Sequence, residues 1–253
     1  MTQRVLVTAG ASGIGLEIAR AFTAAGASVF VCDIDGPGLE RAARDIPGLK
    51  TGLCDVSDRN QIERMVGEAV AAFGGLDVLV NNAGISGPTA SVEDMDPDAW
   101  EQVMKVDLTG TFNVTRLSIP HLKKSGAGAI INMSSLAGRF GYPNRSPYCT
   151  AKWGLIGFTK TLAIELGEHG IRANAILPGA VDGPRIRKVF EGRAEASGRT
   201  VDEEAEGMMA IQSVKRLVDP KDIAALAVFL ASDAGKCISG QMLPIDCDAQ
   251  KAS

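Results

Sequence analysis

Two side chains in the middle of the chain are spaced for acid–base chemistry. Tyr148 and Lys152 stand four residues apart, just after Ser146, a good N-cap, and Pro147, a good first helical residue. The spacing predicts that the phenol and the ammonium share one helix face near its positive end. Because a neighbouring cation favours the phenolate, Tyr148 is a candidate acid/base. The same spacing also arises by chance on ordinary helices, where it makes only an exposed contact.

A glycine-rich turn near the N-terminus indicates what such a pair could act with. A short apolar run over 4–8 is followed by Gly10, Gly13 and Gly15, which open a helical pattern. Glycines let the backbone approach a pyrophosphate closely, and a helix N-terminus offers oriented N–H groups to an anion. The pattern predicts a dinucleotide site, and a tight turn without a ligand is the alternative.

An acidic residue follows the second predicted strand, 28–32. Asp33 stands about 20 positions after the glycines, where a carboxylate accepts hydrogen bonds from the adenosine ribose and repels a 2′-phosphate. Its neighbours Ser12, Ile34 and Asp35 add no cation that would welcome such a phosphate. The sequence therefore predicts NAD rather than NADP. The alternative for Asp33 is a polar strand end that begins a turn.

Short apolar runs alternate with helical patterns along the rest of the chain. Further strands are predicted near 51–54, 76–80, 129–133, 172–177 and 241–245, and helices near 39–45, 58–73, 97–119, 147–170 and 220–230. This alternation specifies right-handed βαβ units. We expect an α/β, Rossmann-type doubly wound parallel sheet of about seven strands with helices on both faces. One domain is expected over 1–253, with one or two amphipathic helices over about 183–216 forming a lid on the substrate site.

Polar and turn-forming residues follow several of the predicted strands. They are Asp33, Asp55, Asn82, Ser135 and Pro178. Ligands of such sheets lie outside the carboxyl ends of the strands, so these residues are expected at one edge. The amide of Asn82 either contacts a nucleoside there or ties two strands together. The shared edge strengthens the acid/base interpretation of Tyr148.

Composition excludes several classes of function. A net charge of −4 and a pI near 5.3 leave no electrostatic footprint for nucleic acid. The five cysteines are widely spread, which indicates reduced thiols, and the two histidines have no ligand cluster, so no metal site is predicted. No apolar run has the length of a membrane span, and no charged leader precedes Arg4. We expect a soluble cytoplasmic protein without a membrane partner.

The chain resembles the short-chain dehydrogenase/reductase family from its first strand to its last. The resemblance is carried by the turn over 8–15, the Asn81-Asn82-Ala83-Gly84 run, Ser135, Tyr148 with Lys152, Pro178-Gly179 and the closing segment 238–241. It implies an NAD-dependent oxidoreductase that interconverts a secondary alcohol and a ketone. It also implies that Tyr148 is the acid/base, that Ser135 polarises the reacting oxygen, and that Lys152 both assists Tyr148 and binds the nicotinamide ribose.

The turn, Asp33 and the resemblance together give a set of expected cofactor contacts. These are Gly10, Ser12, Gly13, Ile14, Gly15, Asp33, Ile34, Asp55, Val56, Asn82, Ala83, Gly84, Tyr148, Lys152, Pro178, Gly179 and Val181. The resemblance also implies a homo-oligomer, a tetramer or a dimer. The long helix from Pro97 has apolar residues on more than one face, and a subunit interface would explain that pattern.

Three residues depart from the family pattern. Ala9 stands where the family has its first glycine, Asp107 where it has an asparagine that helps hold a proton-relay water, and Gly183 where a threonine contacts the carboxamide. Asp107 is kept in the expected catalytic set, although it lacks the amide donor and adds charge near Lys152. Asp107 and Gly183 motivate a second hypothesis, a nucleotide-binding scaffold or sensor without catalysis. The intact serine, tyrosine and lysine argue against it.

Basic and amide side chains near the site are the candidates for substrate binding. With Ser135 they are Arg139, Asn144 and Arg145, in the loop before Tyr148, and Arg185 in the inserted segment. They predict a small polar substrate such as a polyol, a sugar or a hydroxy acid. Because glutamates are interspersed in the insert, the alternative for most of its basic residues is a solvated helix face.

Overall fold

The computed structural model describes residues 2–251, apart from the side chains of Arg185, Arg193 and Ala196. Within that part of the chain the apolar runs form seven parallel strands: β1 Arg4–Thr8, β2 Ser28–Asp33, β3 Lys50–Leu53, β4 Val78–Asn81, β5 Ala129–Met133, β6 Arg172–Pro178 and β7 Met242–Ile245. Their order across the sheet is β3-β2-β1-β4-β5-β6-β7. The order reverses between β1 and β4, which opens a crevice beyond their carboxyl ends. The predicted doubly wound sheet is confirmed.

Helices cover both faces of this sheet. They are α1 Gly13–Ala24, α2 Gly36–Asp45, α3 Arg59–Phe73, α4 Pro97–Val103, α5 Thr111–Ser125, α6 Ser146–Leu166, α7 Pro184–Ser197, α8 Val201–Ala210 and α9 Pro220–Ala231. Helices α1, α2 and α9 pack in one apolar cluster, and α3, α5 and α6 pack in the other. Parallel strands covered on both faces explain why the predicted strands read as continuous apolar runs.

Strand β1 shows how the sheet joins the two clusters. Val5 and Val7 are fully buried in the cluster with α1 and α9, whereas Leu6 is fully buried in the cluster with α3 and α5. Successive side chains of a strand point to opposite faces, so each is removed from water on its own side. Each such burial stabilises the fold by about 1.5–3 kcal/mol, before the entropy cost of ordering is counted.

The predicted long helix from Pro97 is interrupted in its middle. Met104–Gly110 forms a π-helical turn between α4 and α5, and Val106, Asp107 and Gly110 are buried in it. A Cβ on Gly110 would lie 2.6 Å from the carbonyl oxygen of Val56, so the absence of a side chain permits this close packing. Wide turns of this kind are frequent at functional sites. Here the turn carries Asp107 towards the carboxyl edge of the sheet, where Ile85 donates to its carboxylate.

The capping predictions met different outcomes. Asp58 caps α3, because its side chain accepts hydrogen bonds from the N–H groups of Asn60 and Gln61. The prediction that Ser146 is an N-cap is wrong: Arg145 occupies that position and Ser146 is already helical. Because the helix begins one residue earlier than predicted, the Ser146 hydroxyl caps nothing and is buried without a hydrogen bond.

The insert before the last unit contains α7 and α8, as the pattern of 183–216 predicted. Thr200 and Glu203 form a reciprocal capping box at the start of α8. The segment 246–250 after β7 returns to this insert, where Gln212 and Ala249 form an antiparallel bridge and the N–H of Gln250 donates to the carbonyl of Ile211 at 2.9 Å. The segment 246–250 thus braces the insert. Across the described residues no helix combines the length and apolarity needed to cross a bilayer.

Candidate active site

The turn after β1 forms a narrow backbone cradle. A Cβ on Gly15 would lie 2.1 Å from the carbonyl oxygen of Ala9 and 2.6 Å from Nδ2 of Asn82, so only glycine fits. Gly13 has a φ of +55°, and a Cβ there would meet nothing within 4 Å. Open space therefore lies beside the first N–H groups of α1. These residues fit a pyrophosphate, because such groups and the helix dipole favour an anion.

Side-chain hydrogen bonds hold this turn against the neighbouring strand. Asn82 Nδ2 donates to the carbonyl oxygens of Thr8 and Ala9, at 3.0 Å each. Thr8 Oγ1 accepts from the N–H groups of Asn82 and Ala83 at 2.9 and 3.0 Å. These bonds stabilise Ala9 in a left-handed conformation, φ +53°, that alanine adopts at a cost. Of the two roles left open for the Asn82 amide, the structure shows the strand-tying one.

Asp33 lies at the carboxyl end of β2 with its carboxylate held by backbone donors. Its Oδ2 accepts from the N–H of Ala11 at 3.0 Å and its Oδ1 from the N–H of Asp35 at 3.1 Å. Each oxygen keeps a second lone pair, so the oriented carboxylate can still accept from ribose hydroxyls. Sequence reasoning missed one neighbour, because Arg41 on α2 lies 3.5 Å from the carboxylate of Asp35. A cation is therefore present near the predicted ribose site, already paired with a carboxylate.

The other residues expected to contact a cofactor lie at the same edge. Asp55 follows β3, where its Oδ1 accepts from the N–H of Ser57 at 2.8 Å. Gly179 follows β6, and a Cβ there would lie 2.7 Å from the Cα of Asp246. Val181 forms a parallel bridge with Val218. The fold thus gathers these residues, as predicted, although their contacts with a cofactor remain predictions.

Tyr148 and Lys152 face each other in the first turns of α6. The ammonium Nζ of Lys152 lies 5.5 Å from the centre of the Tyr148 ring. Lys152 is buried, whereas Tyr148 is partly exposed. Nζ also donates to the carbonyl oxygen of Met133 at 3.1 Å, at the carboxyl end of β5. The pair is therefore fixed to the sheet, which an ordinary exposed helix contact would not be.

Asp107 completes this cluster from the π-helical turn. Its Oδ2 lies 3.3 Å from Nζ of Lys152, and its Oδ1 accepts from the N–H of Ile85 at 2.7 Å. The side chain is fully buried, and the approach of the ammonium leaves Oδ2 without a well-directed hydrogen bond. A Cβ on Gly84 would come within 3.0 Å of Nζ and 3.1 Å of Oδ2. Glycine at position 84 therefore lets the backbone cover the ion pair closely.

The two serines after β5 are placed differently. Ser134 is buried and its hydroxyl donates to the carbonyl oxygen of Lys152 at 2.9 Å, which anchors α6. Ser135 Oγ accepts from the N–H of Ala137 at 3.1 Å and lines a pocket of about 110 Å³. Of the two serines, Ser135 is thus the one that lines a pocket, and its contact with a substrate stays a prediction.

The walls of this pocket come from distant parts of the chain. They are formed by Ser135, Leu136, Ala137, Tyr142, Gly179, Ala180, Ile186, Met208, Ile211, Gln212 and Ala249. Of these residues, sequence reasoning named only Ser135 and Gly179 as site residues, and it missed the four from the insert and Ala249 as well as Leu136, Ala137 and Tyr142. The apolar residues of the insert carry the same signal as ordinary core positions, and Ala249 has no local signal at all. They meet because the chain end pairs with the insert.

Arg139 and Arg145, predicted to bind substrate, are both engaged by the protein and do not line the pocket. The Arg139 guanidinium lies 3.5 Å from the buried carboxylate of Asp246 and 5.0 Å from the Phe140 ring centre. The Arg145 guanidinium donates to Thr89 Oγ1 at 3.0 Å and lies 5.9 Å from the Tyr148 ring centre. Of these two arginines, Arg145 is therefore the one that lies beside the candidate acid/base, Tyr148.

The remaining two substrate candidates contribute less to the site. Asn144 is exposed, has a φ of +61°, and accepts from the N–H of Ala90 through its own carbonyl at 3.0 Å. This bond ties the loop before α6 to the loop after β4. The side chain of Arg185 lies outside the described part of the structure.

Cysteine thiols lie beside both ends of the site. Burial raises the pKa of Cys149, which follows Tyr148, against smaller opposing effects of the Tyr142 carbonyl and Arg145. A hydrogen bond with Cys54 and burial raise the pKa of Cys32, which precedes Asp33. Both thiols are therefore held protonated near neutral pH, and neither adds a negative charge to the crevice.

Comparisons with known proteins agree with this geometry. A family model described as enoyl-(acyl carrier protein) reductase matches residues 8–247. D-beta-hydroxybutyrate dehydrogenase of Cupriavidus necator is 39% identical over 246 residues, 95% of each chain. A crystal structure of an actinorhodin polyketide ketoreductase variant with NADPH superposes with a TM-score of 0.92 and 32% identity, covering 97% and 96% of the two chains. NAD+-bound xylitol dehydrogenase superposes with a TM-score of 0.91 and 29% identity, covering 96% and 97%.

Proposed function

The chain belongs to the short-chain dehydrogenase/reductase family, and we propose that it is an NAD-dependent enzyme that interconverts a small secondary alcohol and its ketone. One observation carries this proposal. Tyr148 is partly exposed above a buried Lys152, at the same sheet edge as the Ser135 pocket and the glycine cradle. An acid/base, a polarising hydroxyl and a nucleotide cradle on one edge are the parts that such a reaction needs.

The residues at the crevice fit a nicotinamide dinucleotide. Gly13 and Gly15 would hold the pyrophosphate, Asp33 the adenosine ribose, and Lys152 the nicotinamide ribose. When bound, the nicotinamide supplies the hydride acceptor for alcohol oxidation and the donor for the reverse reaction. The similar solved structures hold NAD+ in one case and NADPH in the other, so the family leaves the choice open. The Asp33 carboxylate supports NAD, because it would repel a 2′-phosphate.

The chain's own residues have separate tasks in alcohol oxidation. Tyr148, as phenolate, takes the hydroxyl proton of the substrate, and it returns a proton in ketone reduction. Ser135 Oγ already accepts from the N–H of Ala137, which leaves its own proton free to donate to the substrate oxygen. Lys152 favours the phenolate through its charge and is held in place by Met133. Ser134 fixes the helix that carries both Tyr148 and Lys152.

The substrate that we propose is small and polar: a polyol, a sugar or a hydroxy acid. A pocket of about 110 Å³ limits its size. Arg145 does not line this pocket, but its guanidinium lies 5.9 Å from the Tyr148 ring centre, and this supports a hydroxy acid because a carboxylate next to the reacting carbon could reach that charge. The relative from Cupriavidus necator is a dehydrogenase of a hydroxy acid, and xylitol dehydrogenase is named for a polyol.

The proposal is tested by alcohol turnover with purified protein. NAD or NADP is mixed with a panel of hydroxy acids, polyols and sugars, and nicotinamide absorbance is followed. Replacing Tyr148→Phe should lower kcat about 10²- to 10⁴-fold while cofactor binding is retained. The matched control, Tyr142→Phe, also removes a phenol hydroxyl, but from the pocket wall, and it should change KM more than kcat. Near-normal turnover of the Tyr148→Phe protein would contradict the proposed mechanism.

The second candidate function is a nucleotide-binding scaffold or sensor without turnover. The observation in its favour is that Asp107 forms an ion pair with the ammonium of Lys152, with Oδ2 and Nζ 3.3 Å apart. This pairing offsets the charge with which the lysine would assist Tyr148. Tight NAD binding, no turnover across the whole panel, and no effect of Tyr148→Phe would support this function over the first.

We also propose that the chain forms a homo-oligomer through α5 and α6, as the resemblance implies. Phe112 and Trp153 are each about half exposed on these helices, although large apolar side chains favour burial. The Phe112 ring packs edge-to-face on Phe158, with centroids 6.3 Å apart. Sedimentation should give a dimer or a tetramer, and Trp153→Glu should shift the protein towards monomer if the surface is the interface.

A further inference from the structure

A buried ion pair lies directly beneath the candidate acid/base. The side chains of Lys152 and Asp107 are 5% and 0% exposed, and Nζ and Oδ2 are 3.3 Å apart. The two groups come from different elements, α6 and the π-helical turn, so the pairing is a product of the tertiary fold. A lone charge is strongly disfavoured at such depth, and an opposite charge at this distance offsets it.

We propose that Asp107 is a positioning residue that holds Lys152 beneath Tyr148 and offsets part of the positive charge that the lysine presents to the phenol. The catalytic consequence rests on the proposed function. The electrostatic effect does not, because it is a property of the protein without cofactor or substrate.

The contacts of Asp107 show that it acts on the position of Lys152 as well as on its charge. Oδ1 is fixed by the N–H of Ile85 at 2.7 Å, which directs the other oxygen, Oδ2, at the ammonium. Oδ2 makes no directed hydrogen bond and is fully buried. Nζ of Lys152 also donates to the carbonyl oxygen of Met133, so Lys152 is held between β5 and the π-helical turn.

The other charged and titratable groups around Tyr148 do not duplicate this effect. Arg145 lies 5.9 Å from its ring and donates to Thr89 Oγ1, and no described contact joins Arg145 to Asp107. The centre of the Tyr142 ring lies 6.0 Å from the Arg145 guanidinium. Cys149, next on the helix, has a pKa raised by burial and stays neutral.

The groups around Asp107 are equally distinct. Lys152 faces it from α6, and the β4–α4 loop offers backbone N–H. Lys105 belongs to the same π-helical turn and interacts electrostatically with Asp58. Among the described side chains, the negative group within ion-pair distance of Lys152 is therefore Asp107. Removing its charge leaves the lysine charge acting on Tyr148 unopposed.

The test is a direct titration of the phenol. The chain contains two tyrosines, so a Tyr142→Phe background leaves Tyr148 as the source of tyrosinate absorbance. Asp107→Asn in that background keeps the size of the side chain and an acceptor for Ile85. The midpoint of tyrosinate formation in the protein without cofactor should fall by about one pH unit. The acidic limb of kcat/KM for alcohol oxidation should move in the same direction by a similar amount.

Two further variants separate charge from packing. Asp107→Glu retains the charge, and its midpoint should stay close to that of the parent; a fall equal to that of the Asn variant would mean that repacking is the cause and would overturn the proposal. If thermal melting shows that Asp107→Asn does not fold, Asp107→Ser also removes the charge and should give the same downward shift.

An unchanged or rising midpoint in a folded, uncharged variant overturns the inference. That result would leave the proposed function intact wherever the parent protein oxidises an alcohol with NAD. Conversely, a downward shift together with no turnover on any substrate would sustain the role of Asp107 and contradict the dehydrogenase proposal. The two failures are therefore distinguishable.

Discussion

The cofactor side and the substrate side of the crevice are built in different ways. On the cofactor side, Asp33 is held by the backbone N–H groups of Ala11 and Asp35, and the glycine turn packs on its own backbone. On the substrate side, the pocket joins Ser135 to Gln212 and Ala249, which come from the insert and the chain end. One site is made of local backbone geometry and the other of side chains brought together by the fold.

This difference explains why a motif identifies the first site and not the second. A turn that requires glycine at particular positions has glycine at those positions in any chain that forms it, so its sequence can be recognised. A pocket wall needs only volume and polarity, which many residue types supply at many positions. Changes on the cofactor side should therefore act on all substrates alike, and changes on the substrate side should discriminate among them.

Among changes that separate the two sides of the crevice, the largest effect on cofactor affinity is expected at Gly15. The replacement Gly15→Ala places a methyl group 2.1 Å from the Ala9 carbonyl, so the turn must shift. NAD affinity should fall roughly tenfold to a hundredfold, as overpacking typically costs 1–3 kcal/mol. Fluorescence titration measures the affinity of each variant for NAD. The control is Gly67→Ala on α3, where a Cβ meets nothing and the fold should gain about 0.5–1 kcal/mol. Equal affinities for the two variants would show that the turn does not hold the cofactor.

A smaller effect on the same side is expected at Asp33. Asp33→Ser removes the acceptor of ribose hydroxyls and the negative charge that would repel a 2′-phosphate. NAD affinity should fall about tenfold, the value of one charge-assisted hydrogen bond, and NADP affinity should rise. The rise should be lost when Arg41→Met is added, because Arg41 is the neighbouring cation. Tighter binding of NADP than of NAD by the unchanged protein would refute the role given to Asp33.

The substrate side is tested by a matched pair of arginines. Arg145→Met should raise KM about fivefold to tenfold for hydroxy acids and leave KM for uncharged polyols unchanged, because the lost group is a partly exposed cation. Arg139→Met removes a guanidinium that is already paired with Asp246 and should show no such selectivity. Steady-state kinetics of both variants gives KM for the hydroxy acids and for the uncharged polyols, and the two values are compared. A uniform rise of KM in Arg145→Met would indicate loss of loop structure instead.

The smallest effect is expected far from both regions. Asp77 precedes β4 at the opposite edge of the sheet, and its carboxylate pairs with Arg4. Burial raises the pKa of Asp77, but hydrogen bonds from Arg4 and Ser125 outweigh this and lower it overall. A lowered pKa stabilises the fold above the unfolded value near 4, and this stabilisation is lost as the pH falls through the folded pKa.

Asp77→Asn should therefore lower the free energy of unfolding at pH 7 by about 1 kcal/mol, a modest value because the pair is partly exposed. The acid side of the stability curve should become shallower, as urea unfolding at several pH values would show. NAD affinity and KM should stay as in the parent. A change in either would mean that the two edges of the sheet are coupled.

Local patterns in the sequence were sufficient to predict the sheet, the glycine turn and the place of Asp33 at the end of β2. Its seven predicted strands all occur, with ends that differ by at most about two residues. Alternating apolar runs, glycine spacing and strand-end carboxylates are local patterns, and local backbone preferences are enough to interpret them. The Tyr148 and Lys152 spacing belongs to this class, because one helix turn sets it.

The side chains around those residues became known from the tertiary structure alone. It placed Asp107 against Lys152, paired Arg139 with Asp246, and made Ala249 a pocket wall. Even the cap at Ser146 was mispredicted, because the start of α6 depends on the loop before it. These features depend on distances between segments far apart in the chain. Packing of the whole core fixes such distances, and no local pattern contains them.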